Sequence, residues 1–277
     1  MNLALVGKFS NAWGSEHLVK RGFKALGHTV QKVELSDTGL MSVGHVSLTI
    51  IMQGYGLDPR AIHALRAHTG TPVVLWHAEV MSPEWPTDDP VVQGKAVMLA
   101  QNVAAYELVC HNCSCCLETV RALVAKRGAW CPANGVDAEV HRRIPRGVKV
   151  VDIGIYGWAS ERRMRWVQET VAHLNHPYRV VWPDAGRDGV YGEVLTQFIC
   201  DCRVVLNIHF SQTPNTECRA YETLGCAGAL VSEPLSMPEM FPEGRGVLYG
   251  TTPQALAHQI ERIFAWDDDE YSGFVQA

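Results

Sequence analysis

The chain has no apolar run of the roughly 20 residues that a transmembrane helix requires, so no membrane insertion is expected. Residues 1–10 lack a charged segment followed by an apolar core, which argues against a secretory leader and gives a cytoplasmic reading. No Asp-x-Asp pair suited to a divalent ion is present apart from Asp267-Asp268-Asp269, and that run reads as a solvent-facing tail. A G-x-G-x-x-G fingerprint is missing too. Gly7 and Gly14 flank a loop before a helix, but their spacing is wrong, and Glu34 is the nearest acid to the end of the second strand. This weighs against a nicotinamide-dependent enzyme. Cys110, Cys113, Cys115 and Cys116 lie close together, but the second C-x-x-C of a zinc ribbon is absent, and Cys131 or His111 would have to complete a site. No metal is therefore expected. Internal repeats and low-complexity tracts are lacking as well.

What is present is ordinary globular material. The 277 residues are 47% hydrophobic and 19% charged, with a formal net charge of −5. That charge argues against bulk attraction to nucleic acid. Nine cysteines without a leader read as reduced thiols, with Cys200, Cys202, Cys218 and Cys226 packed in the core. Strand-like and helix-like segments alternate from end to end, the pattern of an α/β protein with parallel sheets. Strands are expected at Leu3–Val6, Thr29–Val33, Val46–Met52, Thr71–Trp76 and Glu107–Cys110. The breaks at Asn134-Gly135 and Ile144-Pro145-Arg146-Gly147 suggest two domains, 1–145 and 146–277. After them the pattern restarts with a strand at Val148–Ile155 and a helix capped by Ser160, whose Met164, Val167, Val171 and Leu174 are spaced to share one face. The last helix begins at Thr252-Pro253 and should bury Leu256, Ile260, Ile263 and Phe264.

The most informative segment is 207–232. An apolar strand ends at Asn207, a polar loop follows, a helix runs from about Glu217 to Cys226, and Gly228 precedes the buried strand Ala229–Val231. In open α/β sheets, the loop and helix start at the carboxyl end of a strand are where ligands bind. Main-chain N–H groups there suit phosphate, and Glu222, one turn into the helix, can accept hydrogen bonds from ribose hydroxyls. Arg219 offers a planar fork that matches phosphate oxygens.

Arg219, Tyr221, Glu222 and the run Gly225-Cys-Ala-Gly-Ala-Leu-Val231 resemble the donor-binding segment of GT-B glycosyltransferases, particularly the CgeB-like group. Asn134-Gly135-Val136-Asp137 resembles the element that ends the amino-terminal domain in many of them. The resemblance implies two Rossmann-like domains facing across a cleft, with a terminal helix crossing back to the first. It implies an enzyme that moves a sugar from a nucleotide diphosphate donor, a UDP-sugar first among them, to a hydroxyl acceptor. Retention of configuration is the expected outcome. No cofactor and no obligate protein partner are implied. Relatives in phages make a modified DNA base one acceptor to consider, and a base must leave the stack to be reached.

On this resemblance Glu222 binds the ribose, and Arg219 with Arg162 or Arg163 binds the diphosphate. Asn207, His209, Asn215, Thr216 and Tyr221 are further donor-site candidates. Many relatives carry a second Glu eight residues before the ribose Glu, and here that position is Pro214. In the first domain His77 faces the transferred sugar, with Glu79 as the alternative base. Gly7, Lys8 and Gly14 belong to a loop near the donor phosphates or the acceptor, and Trp85 (with Trp13 as another aromatic) to the acceptor side, Trp85 within a Pro-rich lid. Two rival readings remain: a non-catalytic nucleotide or nucleic-acid binding protein of the same fold, and a nicotinamide-dependent enzyme.

Overall fold

A computed structural model describes residues 1–10, 14–54, 57–77, 98, 101–111, 128–130, 135–145, 149–183, 190–210 and 218–277. The chain divides into two compact units, Met1–Ala133 and Asn134–Ala277. The expected break after 145 therefore moves to 133. The reason is local. Thr196 Oγ1 donates to the Val140 carbonyl at 2.9 Å, and the Ile144 N–H donates to Cys200 Sγ at 3.4 Å, so 135–145 is laced to the second unit.

The first unit is built on β1 (Asn2–Gly7), β2 (Thr29–Glu34), β3 (Leu48–Met52), β4 (Val73–His77), β5 (Leu108–His111) and β6 (Gly128–Trp130). They form one sheet in the order β2-β1-β3-β4-β5-β6, with every pairing parallel. Parallel strands need crossovers that cover both faces, so the central strands are mostly apolar, with Thr49 of β3 a buried exception. Ala4 and Val6 join Ile51, Leu75 and Val109 in one core layer with Ile62 and Leu65 of α3 (Pro59–Thr69). Leu5, Ile50 and Met52 point the other way, toward Val19 and Phe23 of α1 (Ser15–Ala25). Each fully buried Leu or Ile of this kind contributes about 1.5–3 kcal/mol. A short α2 (Asp37–Leu40) follows β2. At the start of α3 the Asp58 side chain accepts from the Arg60 N–H at 2.8 Å and Pro59 takes the first helical position.

The second unit has β7 (Val151–Gly154), β8 (Val180–Val181), β9 (Cys202–Asn207), β10 (Leu230–Ser232) and β11 (Val247–Tyr249), in the order β11-β10-β9-β7-β8, again all parallel. Its helices are α4 (Glu161–Ala172), α5 (Gly192–Asp201), α6 (Cys218–Gly225), α7 (Pro253–Phe264) and α8 (Asp268–Gln276). Ile153, Val204, Leu206 and Val231 meet Val167 of α4 and Leu256, Ile260 and Ile263 of α7 in one layer. Val151, Val205 and Leu230 meet Leu195 and Ile199 of α5 and Ala220 of α6 in the other.

Three expectations are corrected here. Met164 and Val171 are 44% and 38% exposed, and the buried face of α4 is Arg163, Val167 and Thr170. Asp267, Asp268 and Asp269 are exposed as read, but they open a helix rather than a tail: Asp267 caps α8 in a reciprocal capping box with Glu270, and that helix buries Tyr271 and Phe274 in the unit's core. Cys218 is exposed, while Cys200, Cys202 and Cys226 are buried as read.

Candidate functional site

In the second sheet the chain order reverses between β7 and β9, and the segments that leave their carboxyl ends form a topological switch point. After β7 comes Ile155-Tyr156-Gly157-Trp158, and after β9 comes Ile208-His209-Phe210. Three arginines converge on these turns. Arg162 and Arg163 arrive from the first turn of α4, which Ser160 caps by accepting from the Arg163 N–H. Arg219 arrives from the start of α6.

Arg219 is buried, and its Nε donates to Asn207 Oδ1 at 2.7 Å. Its two terminal nitrogens point at the carbonyls of Tyr156 and Ile208, both at 3.4 Å. Arg163 is also buried; its Nε donates to the Ile208 carbonyl at 2.8 Å and its Nη1 to the Trp158 carbonyl at 3.0 Å. Gly157 makes room for them. It has φ of +94°, and a Cβ there would overlap the Arg219 guanidinium and lie 3.8 Å from that of Arg163. Burial pulls the Arg219 guanidinium down to about 9, with repulsion from Arg163 adding to the effect. Burial, then repulsion from Arg162, pulls Arg163 down to about 10. Both stay protonated at neutral pH.

Arg162 is committed differently. Its Nη2 donates to Glu233 Oε1 at 2.6 Å and its Nη1 to Glu233 Oε2 at 2.9 Å, a forked pair, while Nη1 also reaches the His209 carbonyl at 2.8 Å. Its guanidinium lies 4.4 Å from the Trp166 ring centroid. Glu233 Oε2 further accepts from the His209 N–H at 2.7 Å.

Glu222 is half-buried one turn into α6. Burial raises its carboxyl above the usual range, opposed by the Tyr156 hydroxyl and Arg219. Three guanidinium groups thus share the region with two carboxylates, one of them pushed toward its neutral form. Such a set attracts an anion.

Residues 146–274 match the family model described as Glycosyl transferase-like. No curated protein matches the chain by sequence. Among solved structures, Anabaena HepE in complex with UDP and glucose is 12% identical with a TM-score of 0.63, covering 100% of this chain and 93% of that one. A T4 phage BGT point mutant in complex with UDP-glucose gives 10% and 0.57, covering 100% and 93%. A structure of the DNA modifying enzyme beta-glucosyltransferase gives 8% and 0.55, covering 100% and 92%. The chain has the GT-B fold, and residues 146–274 are similar to the glycosyl transferase-like family.

Within this GT-B frame the expected donor residues sort themselves. Asn207 is fully buried; its Oδ1 receives Arg219 and its Nδ2 donates to Ser232 Oγ at 2.8 Å, so it orients the arginine. His209 is buried, with Nε2 2.8 Å from the Pro234 carbonyl; because a carbonyl only accepts, Nε2 carries the proton. Burial lowers this imidazole to about 4. Tyr221 packs edge-on against Phe241, at 5.0 Å and 88°, in the core layer under α6. Asn215, Thr216, Glu79 and Trp85, with Trp13, lie outside the described residues, and of His77 only the strand position, at the end of β4, is described.

In the first unit Gly7 ends β1, the Lys8 N–H donates to Glu16 Oε1 at 3.3 Å, and Gly14 is the N-cap of α1. The two elements that carry the resemblance also touch. A Cβ on Gly225 would lie 2.9 Å from Val136 Cγ1, so the small residue lets the end of α6 rest on Val136.

The sequence reading missed Glu233 and Tyr156. Glu233 follows directly on the end of a buried strand, and an acid in that place was the available signal. Tyr156 is buried, with its hydroxyl 3.2 Å from both the Arg219 carbonyl and Thr223 Oγ1, and nothing in its sequence setting marked it. Among the described residues no group of three or more His, Cys, Asp or Glu could hold a metal, and no helix is long and apolar enough to cross a membrane.

Proposed function

We propose that the protein is a sugar transferase: the second unit binds a nucleoside diphosphate sugar at the turns after β7 and β9, and the sugar passes to a hydroxyl acceptor. The observation that carries this reading is the buried pair Arg163 and Arg219 at a topological switch point, with Glu222 one turn into the adjoining helix. A leaving nucleoside diphosphate gains negative charge as the glycosidic bond breaks. Guanidinium groups already fixed in place stabilise that charge without reorganising. Glu222 accepts from the ribose hydroxyls, and the raised position of its carboxyl sets the pH range in which it does so.

The solved neighbours bound to UDP or UDP-glucose support UDP as the nucleotide. The first unit serves the acceptor side, with His77 and Glu79 as the groups nearest the transferred sugar and Gly7, Lys8 and Gly14 in the loop toward the acceptor. A hydroxylated DNA base is one acceptor class, supported by the DNA modifying neighbour. Retention follows from the resemblance, and the anomeric configuration of the product, read by NMR, decides it.

The test is a thermal-shift and calorimetric titration with UDP, GDP, ADP, CDP and dTDP. A ligand at a hundredfold over its Kd stabilises the folded state by about 2.7 kcal/mol. UDP should raise the melting midpoint, and Arg219→Ala and Glu222→Ala should abolish the response. No response to any nucleotide by folded protein would sink the reading. If UDP binds but no UDP-sugar is consumed with any hydroxyl acceptor, a binding protein without chemistry is the correct description.

A further inference from the structure

Glu233 sits where simple electrostatics disfavours it. A carboxylate beside a diphosphate site repels the ligand, so removing its charge should tighten binding. Its contacts point the other way. Both oxygens hold the Arg162 fork, and Oε2 also takes the His209 N–H at 2.7 Å. Arg162 in turn donates to the His209 carbonyl at 2.8 Å, so one carboxylate and one guanidinium grip residue 209 from both sides of its main chain. The residue just before it supplies the carbonyl of Ile208, and that single oxygen receives Arg163 Nε at 2.8 Å and an Arg219 terminal nitrogen at 3.4 Å. Glu233 itself is held at the end of β10, where Ser232 Oγ donates to its carbonyl at 2.6 Å and receives Asn207 Nδ2. Glu233 and Ser232 are 6% and 0% exposed, so this framework is not a solvated ion pair whose geometry drifts.

We infer that Glu233 is a positioning residue of the donor site: with Arg162 it locks the turn after β9, and the Ile208 carbonyl held there sets the two guanidinium groups that meet the diphosphate. The inference rests on the donor-site reading. It also divides the arginines: Arg163 and Arg219 meet the ligand, and Arg162 acts through the turn.

The experiment measures UDP affinity by calorimetry, well below the melting midpoint, for wild type, Glu233→Gln, Arg162→Lys and the double variant. Gln keeps a carbonyl oxygen for the His209 N–H but loses the charge and one of the two acceptors of the fork, while Lys keeps a charge and removes the fork. Each single variant should weaken UDP binding about tenfold, the scale on which loss of an outer partner misplaces a binding group. The double variant should be no weaker than the worse single, because both act through one turn. Equal or tighter binding by Glu233→Gln would overturn the inference, as would losses that simply add. If Glu233→Gln does not fold, Arg162→Lys alone decides: wild-type affinity there refutes the role. Arg219→Ala and Glu222→Ala, run alongside, separate the two readings. If they bind UDP like wild type, the donor site itself is misplaced and this inference falls with it; if they lose UDP while Glu233→Gln does not, only this inference fails.

Discussion

The two units are the same sheet twice. Counted within each unit, the strand order is 2-1-3-4-5, with one further strand in the first, and each has its switch point between its first and third strands. The side chains at those points are not alike. In the first unit the turn after β1 leans on carboxylates: the Lys8 N–H meets Glu16 and the Phe9 N–H meets Glu34 Oε2 at 3.5 Å. In the second unit the same position holds Arg163 and Arg219 under a glycine at positive φ. The fold provides two equivalent crevices, and among the described residues it is the second unit's that holds the buried arginines of the proposed anion site.

The sharpest way to break this comparison is to add a methyl at each switch point. Gly157→Ala must adopt a φ of +94° and displace the Arg219 guanidinium. It should cost about 2–3 kcal/mol of stability and about 100-fold in UDP affinity. Gly7→Ala meets only the flexible Glu16 side chain, with Cγ at 2.5 Å, and should cost about 1–2 kcal/mol while UDP affinity stays within about twofold. Calorimetry and thermal melts on both variants read this directly, and equal losses of UDP binding would show that the crevices are not distinct.

The next effect is on stability. His209 is held neutral, with its proton affinity lowered from 6.5 to about 4. Below pH 6.5 the unfolded chain takes up a proton that the folded chain refuses until about pH 4, so stability falls with pH across that window, by about 3 kcal/mol in all. Denaturant titrations should show the loss, and His209→Gln, which can still donate to the Pro234 carbonyl, should remove that part of the slope. An unchanged slope would mean that the second unit's turn does not control its acid sensitivity.

A smaller effect separates charge from shape. Arg219→Lys keeps the cation and loses the planar fork that engages Asn207, Tyr156 and Ile208. UDP affinity should fall about tenfold. Lys8→Met in the first unit should change it by less than about twofold, since that loop lies on the acceptor side under the proposal. A larger loss at Lys8 would move the first unit's loop to the donor phosphates.

The residues that make this contrast were unequally legible. Strands β1, β3 and β9 each carry an apolar run, Leu3–Val6, Ile50–Met52 and Val204–Leu206, so their place and parallel pairing could be read directly. Glu222 and Arg219 stood out because a loop, a helix start and a small-residue run fall in fixed order around them. The buried face of α4 could not be read from apolar spacing: it carries Arg163 and Thr170 inward and leaves Met164 and Val171 toward solvent. Periodicity counts apolar residues, and a helix that turns a cation inward breaks the count. Glu233 was hidden for a related reason, since its partner Arg162 lies on a different element and no local pattern joins them.

The last contrast lies within the second unit, between His209 and Glu222, whose proton affinities are shifted in opposite directions. Burial lifts the Glu222 carboxyl above the ordinary carboxylate range, with Tyr156 and Arg219 only partly opposing it. Its folded-state affinity for the proton exceeds that of the unfolded chain, so its contribution to stability is greatest at low pH and is lost as pH rises through the raised value. Ligand affinity should run the other way. An ionised carboxylate can accept from both ribose hydroxyls, whereas the protonated form gives up part of that acceptor capacity. UDP binding should therefore strengthen as pH rises through the raised value, by about tenfold, the lower end of what a hydrogen bond to a charged group contributes. Glu222→Gln should bind about tenfold more weakly at the upper end of that range and lose this pH dependence. Calorimetric titrations of UDP across the acidic range, on wild type and the variant, test it. Parallel pH profiles for the two proteins would remove Glu222 from the ribose and leave the arginines to carry the site alone.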